Sequence, residues 1–448
     1  MPTKRGPSPK FVGNPFIKKK NLEWSLGIPS STHDSDGSSS FDEPNGQELR
    51  SEDGGPKASA VEAGKAKIED HLDYFTGLLT KAALSPFPSG IPRLLTEGYR
   101  RLYEANSGNP KGAHFIVHQH DHPVAGTHYD LRLQINETSS ASWAIMYGLP
   151  GDPNSQRLNR NATETRIHCL WNHLRETASA STGSLIIWDT GTYTVLFGRE
   201  RSKRGDSTLQ SESDYDPSPE LTEQEKLRQA FQARKIRIRL HGTRLPHNYV
   251  LNLRLTKDED IAGRAKGSRR PKFRRRRGGL AQGRGGRGAG KGKVAEPETT
   301  SDSDSDSDSD DQSEIVNAPS QEADKGEDVS AMEKEIRELE DEEVRRTNAY
   351  PGANNSIGSV HQRRWYLSID RTASGFTKHR RAGKVVWEPD GDAAEMEEDA
   401  GGRLKYPFYV HGVEVERSVV TGRLGAEVLR DEGVVGYVGR KGWRPVLK

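Results

Sequence analysis

Apolar residues first take up a regular period after residue 65. Over Lys65–Ala82, Ile68, Leu72, Phe75, Leu78 and Leu79 recur at helical spacing, and Leu94, Leu95, Tyr99 and Leu102 do the same over Ile91–Asn106. The period then shortens to two. Strands are expected at His114–His120, Thr127–Ile135, Ser142–Met146, Gly183–Asp189 and Thr192–Leu196, divided by Gly, Pro and Asn clusters. Ser218-Pro219-Glu220 reads as a helix start, with Ser218 as cap and Pro219 at the first helical position; the helix continues through Leu221, Leu227 and Phe231. Lys235–Leu240 and Asn248–Leu255 add two strands. Short strands at such close intervals predict a mainly β protein: a small antiparallel β-barrel with a few flanking helices and long disordered segments.

The pattern collapses after Lys257. A basic Gly-Arg tract, a Ser-Asp tract and a charged helix around Glu333–Arg346 follow. Order is expected to resume at Arg364–Asp370, Lys384–Glu388 and Phe408–Leu424, before the terminal GYVGRKGWRPVLK. Residues 1–65 read as a disordered tail holding one apolar island with Phe16, Leu22, Trp24 and Leu26, a docking peptide being the other reading.

Composition sharpens this picture. Of 448 residues only 31% are hydrophobic, and mean hydropathy is −0.87. A chain of this length has room for two or three domains, yet this composition supports one real core, the remainder failing to offset its ordering entropy. The net charge of +2 conceals segregation: Arg264–Lys293 holds 13 basic residues and no acidic one, and Ser301–Asp311 alternates Ser with Asp. Cys169 is the single cysteine, which excludes an internal disulfide and a cysteine zinc cluster and fits a reducing compartment. No apolar run is long enough to span a bilayer, and the basic N-terminus lacks a signal core, so a soluble intracellular protein is expected.

Chemistry concentrates in HFIVHQH and THYDLRLQI. Successive strand side chains turn to opposite faces. His114, Ile116, His118 and His120 therefore share one face, as do His128, Asp130 and Arg132, while Phe115, Val117, Tyr129, Leu131 and Leu133 face the core. Two imidazoles and a carboxylate suit a divalent transition metal with open positions, and an Arg beside it offers a fork for phosphate oxygens. Spacing leaves two readings standing: such a site, or the polar, solvent-facing side of a sheet.

FIVHQH…HYDLRLQIN…SWAI…G…DP…RL resembles the 3′-phosphoesterase domain of bacterial DNA ligase D, whose pattern reads F-V-V-Q-K-H…H-Y-D-F-R-L-E…S-W-A-V-P-K-G. The likeness continues in GSLIIWDTGTY, in KIRIRLHGTRLPHNYVLNLRL and in the closing RWYLSID. It covers most of residues 111–257 plus 363–372. The resemblance implies a small β-barrel that trims 3′ ends with Mn²⁺ or another divalent metal. It implies His120, His128 and Asp130 as metal ligands. Arg132, His118, Arg157 and Tyr147 would meet the phosphate; Tyr147 stands where the family has Lys. His168, with His173 as fallback, takes the position of a histidine that steadies the phosphate or protonates the leaving oxygen. The interval between the two metal histidines is two residues longer here, and the Arg157–His168 interval is also stretched. The ligase family's K-x-D-G motif is absent, so no ligase or polymerase activity is implied.

The resemblance also divides the chain. Residues 66–257 form the first part of the barrel, 258–362 a disordered insertion in one loop, 363–376 the closing strand, and 377–448 C-terminal strands of unknown role. Within the insertion, Arg274, Arg275, Arg276, Arg277, Arg284 and Arg287 resemble Arg-Gly nucleic-acid-binding tracts, and RRPKFRRRR a nuclear import signal. The leading expectation is a metal-dependent 3′-end-processing phosphoesterase in nuclear DNA repair, acting on DNA or RNA 3′ ends, with repair proteins as possible partners and no membrane. The alternatives are a non-catalytic nucleic-acid-binding protein using the barrel and the Arg-Gly tract, and a scaffold built on the acidic and basic tracts.

Overall fold

The computed structural model describes residues 67–197, 221–268, 342–381, 383–390 and 402–447, with Ala58 and Val61. All of these belong to one unit, residues 57–448. Twelve described strands carry the sheets. They are β1 (His114–His122), β2 (Gly126–Gln134), β3 (Ser139–Met146), β4 (Arg160–Glu164), β5 (His168–Cys169) and β6 (Thr177–Ser179), followed by β7 (Gly183–Val195), β8 (Lys235–Gly242), β9 (Val250–Arg254), β10 (Arg364–Ile369), β11 (Phe376–Arg381) and β12 (Lys384–Pro389).

The order β1-β2-β3-β4-β10-β9-β8-β7 returns to β1 through the antiparallel β1–β7 pair, closing an eight-stranded barrel. Closure removes the unpaired edges that an open sheet would expose. β5 and β6 are short additions to β3 and β7, and β11 with β12 makes a separate hairpin. Phe115, Val117, Tyr129, Leu131, Trp143, Trp188 and Trp365 fill the interior, all fully buried. These are the apolar-face residues of the period-two segments, so their burial drives barrel formation.

Among the described residues six helices flank the strands: α1 (His71–Ala82), α2 (Thr96–Asn106), α3 (Glu223–Gln232), α4 (Lys257–Ser268), α5 (Glu342–Thr347) and α6 (Gly425–Asp431). A second apolar cluster lies outside the barrel wall, where Phe75, Leu79 and Tyr99 meet Ile116, Ile187, Leu170, Leu174, Val419 and Val420. β2 is consequently buried along its whole length, on both faces.

Several expectations change. The two strands expected at 183–189 and 192–196 are one continuous β7, whose pairing with β1 shifts register at Val117/His118. α3 starts at Glu223 under a capping box between Thr222 and Glu225; Ser218, the expected cap, lies outside the described residues. Phe408–Leu424 forms no strand. Its apolar residues instead plug gaps, Phe408 and Val410 against the barrel core and Val419 and Val420 on the outer cluster. The expected disordered span is structured at both ends, in α4 and from Glu342 onward, where Ala349 makes a parallel bridge with Ile167. β9 and β10 pair directly across residues 255–363.

Candidate metal centre

The β1–β2 register sets the site. His120 lies opposite His128, His118 opposite Asp130, and Ile116 opposite Arg132. The chemistry-bearing side chains lie on the face opposite the core residues Val117, Tyr129 and Leu131, the face on which Ile116 packs against α1, α2 and the 3-10 turn Leu170–Leu174. His118, His128, Asp130 and Arg132 are all buried.

Hydrogen bonds determine which nitrogen of each histidine is free. His120 Nε2 lies 2.8 Å from the Thr182 carbonyl oxygen, and His128 Nδ1 lies 2.8 Å from that of Gly126. A carbonyl only accepts, so these nitrogens carry the protons. His120 Nδ1 and His128 Nε2 are left with lone pairs, 3.6 and 3.4 Å from the Asp130 carboxylate oxygens. Lone pairs facing a carboxylate repel unless a cation lies among them. The three ligand atoms fall within 4.8 Å of one another. Backbone carbonyls that fix the outer nitrogens are the usual support for metal-bound imidazoles, and the donor set fits a borderline divalent cation.

The electrostatics agree. Burial would raise the Asp130 carboxyl, but the neighbouring His128 and His120 rings and the Arg132 guanidinium together hold it well below the usual range. Burial lowers His128, against the pull of Asp130. Ligands that are already deprotonated bind metal without competition from protons. Arg132 Nη2 donates to Asp130 Oδ2 at 3.3 Å, orienting the carboxylate.

Beside this triad sits a group of polar side chains. Both ring nitrogens of His118 are buried without a hydrogen-bond partner, as are the hydroxyls of Ser140 and Ser142. Ser142 lies opposite Arg132, and His168 opposite Ser140. Burial first, then Arg132 and Arg175, press His118 and His168 well below the ordinary histidine value. The buried guanidinium groups of Arg132 and Arg175 both bear on His118 and His168, a setting that would favour an anion.

The other expected residues make different contacts. Tyr147 is 42% exposed, holds φ at 66°, and lines a small cavity with Leu149, Arg160 and Phe408. Arg157 is exposed; its backbone N–H bonds Ser155 Oγ, and its carbonyl accepts from the buried Arg160. His173, the fallback, is engaged by His114, with Nδ1 to Nδ1 at 2.6 Å. Arg274, Arg275, Arg276, Arg277, Arg284 and Arg287 lie outside the described residues. Sequence reading missed Arg175, which no pattern marks, and the carbonyls of Gly126 and Thr182, which carry no side-chain signal. It also passed over His122, although alternation from His120 places it on the same face. His122 Nδ1 accepts from the N–H groups of Val124 and Ala125, so its Nε2 bears the proton and it cannot ligate through either nitrogen.

A closed barrel whose wall carries a two-histidine, one-carboxylate cluster able to hold a metal ion, with an arginine beside it, defines the class. Residues 118–253 match the family model of the DNA ligase D 3′-phosphoesterase domain, so the resemblance read from the sequence is found over a stretch containing the whole triad. That family is metal-dependent in general, and its description is that of a phosphoesterase. No curated protein matches the chain. Among the described residues no helix is long and apolar enough to cross a membrane.

Proposed function

We propose that this protein is a metal-dependent phosphoesterase that processes nucleic-acid 3′ ends, removing a 3′-phosphate or a 3′-ribonucleotide, with Mn²⁺ or another divalent cation. The observation that carries this reading is the pair of histidine lone pairs turned onto the buried Asp130. A bound divalent cation would supply Lewis-acid charge and a more acidic water nucleophile. Arg132 would hold the phosphate and stabilise the charge that builds on its oxygens. His118, with no protein partner for either nitrogen, would donate to a phosphate oxygen. His168, held neutral by burial and by the nearby guanidinium groups, would begin as a hydrogen-bond donor. A dianionic phosphate would counter Arg132 and Arg175, raise the proton affinity of His168, and let it protonate the leaving oxygen. Tyr147 and Arg157 take no part in this scheme: Tyr147 lines the small cavity with Leu149 and Phe408, and Arg157 is exposed.

We place the activity in nuclear DNA repair, with the Arg-Gly tract gripping the nucleic acid and RRPKFRRRR serving import. A panel of 3′-phosphate and 3′-ribonucleotide primers, assayed with and without Mn²⁺, tests the reading. Hydrolysis is expected only with the cation, and His128→Ala and Asp130→Ala should each reduce it by about 100-fold or more, in line with the loss of a metal ligand or its support. Variants as active as the parent would sink the assignment. A parent that binds Mn²⁺ and nucleic acid but hydrolyses neither primer would make it a binding protein.

A further inference from the structure

The C-terminal segment from Gly436 to Val446 runs across the end of the barrel wall that carries the triad. At one anchor, Tyr437 Oη donates to the carbonyl of Asp121, the residue after His120, at 2.7 Å. Arg440 Nη1 donates to the carbonyl of Val124 at 3.0 Å, and a Cβ at Gly126 would lie 3.5 Å from Arg440 Cδ. Gly126 is the residue whose carbonyl holds His128. At the other anchor, Val446 lines the small cavity with Tyr147 and Leu149, just past Met146, which pairs with His128. Trp443 packs on Gly412 between the anchors and joins the core cluster. The segment thus spans the ends of β1, β2 and β3 where the metal ligands sit.

Its charge is one-sided. Residues 433–448 contain no Asp or Glu, and Arg440, Lys441 and Arg444 all lie exposed. Arg440 is used by the first anchor. Lys441 and Arg444 follow it toward the second, exposed and in a fixed segment.

We infer that this strap is the strand-binding rim of the metal centre: Tyr437 and Arg440 pin it to the β1–β2 hairpin, and Lys441 and Arg444 hold phosphates of the strand upstream of the processed end. The inference rests on the proposed reading that the site works on nucleic-acid ends. Cations fixed beside the site would position the strand through its phosphates, without reading its sequence.

The test is binding of a single-stranded oligonucleotide of about a dozen nucleotides with a 3′-phosphate, measured by anisotropy with chelator present so that the end is not consumed. Lys441→Ala/Arg444→Ala should weaken binding about tenfold and shallow the salt dependence by about 1.4 in log–log slope, the value for two phosphate contacts on a single strand. Lys235→Ala/Arg254→Ala, which removes equal charge from the exposed ends of β8 and β9, should leave both quantities near the parent's. Binding by the strap variant within about twofold of the parent overturns the inference, as does an equal loss in the control pair. An acidic peptide of matched charge that binds as tightly, and loses affinity in the same variant, also overturns it. A parent that binds this oligonucleotide yet hydrolyses no end defeats the proposed function and leaves the rim standing.

Discussion

At the scale of single residues, the site depends on which nitrogens carry protons. The same logic reaches the neighbouring pair His114 and His173. Thr190 donates its hydroxyl to the Phe115 carbonyl, so its oxygen accepts from His114 Nε2 at 3.3 Å. His114 Nδ1 is then bare and accepts from His173. Burial lowers His114 to about 3. An unfolded histidine titrates at about 6.5, so below that pH the unfolded chain binds a proton the native state refuses. Stability from this residue is complete above about pH 6.5 and falls as the pH drops, by about 1.4 kcal/mol per unit. His118, His168 and His173 are lowered too and act in the same direction. Urea midpoints should therefore fall clearly between pH 7 and pH 5; a flat profile would contradict the buried neutral histidines.

Among elements, the β1–β2 hairpin and the turn before β7 act together. Gly183 has φ of +75°, and a Cβ there would meet the Asp121 carbonyl oxygen at 1.8 Å. Gly183→Ala should cost about 1–3 kcal/mol and displace the Thr182 carbonyl from His120. Titration with Mn²⁺ should show weaker binding by about 10-fold or more, as loss of an outer-nitrogen partner does elsewhere. Gly108, at φ +69° with nothing within 4 Å of its Cβ, is the control; Gly108→Ala should cost about 1 kcal/mol and leave metal affinity alone. Thr222→Ala breaks the α3 capping box and should cost about 1 kcal/mol, again without touching metal binding. Denaturant melts and metal titrations of the three variants separate strain from ligand support.

For the whole molecule, the barrel closes across a very long connection. Arg363, just before β10, is buried and ion-paired with Glu164 on β4, and it reaches Asp260 on α4 at 2.6 Å. Glu164 also accepts from Trp365 Nε1 at 3.0 Å and Ser359 Oγ at 2.8 Å. Entry to and exit from the connection are thereby tied together. Glu164→Ala strands a buried guanidinium and should cost about 3–5 kcal/mol. Replacing residues 269–341 by a flexible linker of about 20 residues should change stability by no more than about 1–2 kcal/mol, since loop closure varies only with the logarithm of length. Thermal melts that reverse this ranking would place the stabilising contacts within the removed segment.

The alternation in HFIVHQH and THYDLRLQI by itself determined the strands, their inward residues and the shared face of His128, Asp130 and Arg132, because a strand's period of two is a local backbone property. The triad was legible for that reason, and the family resemblance added its chemistry. Alternation left open whether the polar face met solvent. Only the tertiary structure buries that face, packing α1, α2, the 170–174 turn and Val419–Val420 around Ile116 and Ile187, and burial is what turns a row of polar side chains into a site with perturbed proton affinities. It also decides the tautomers, through carbonyls at Gly126 and Thr182 that no side-chain pattern encodes. The segment from 402 onward, expected as strands, forms none and holds only the short helix α6, and its place beside the triad depends on contacts hundreds of residues apart in sequence. Contacts so distant depend on the packed surfaces of the finished barrel, which no local period in the chain can specify.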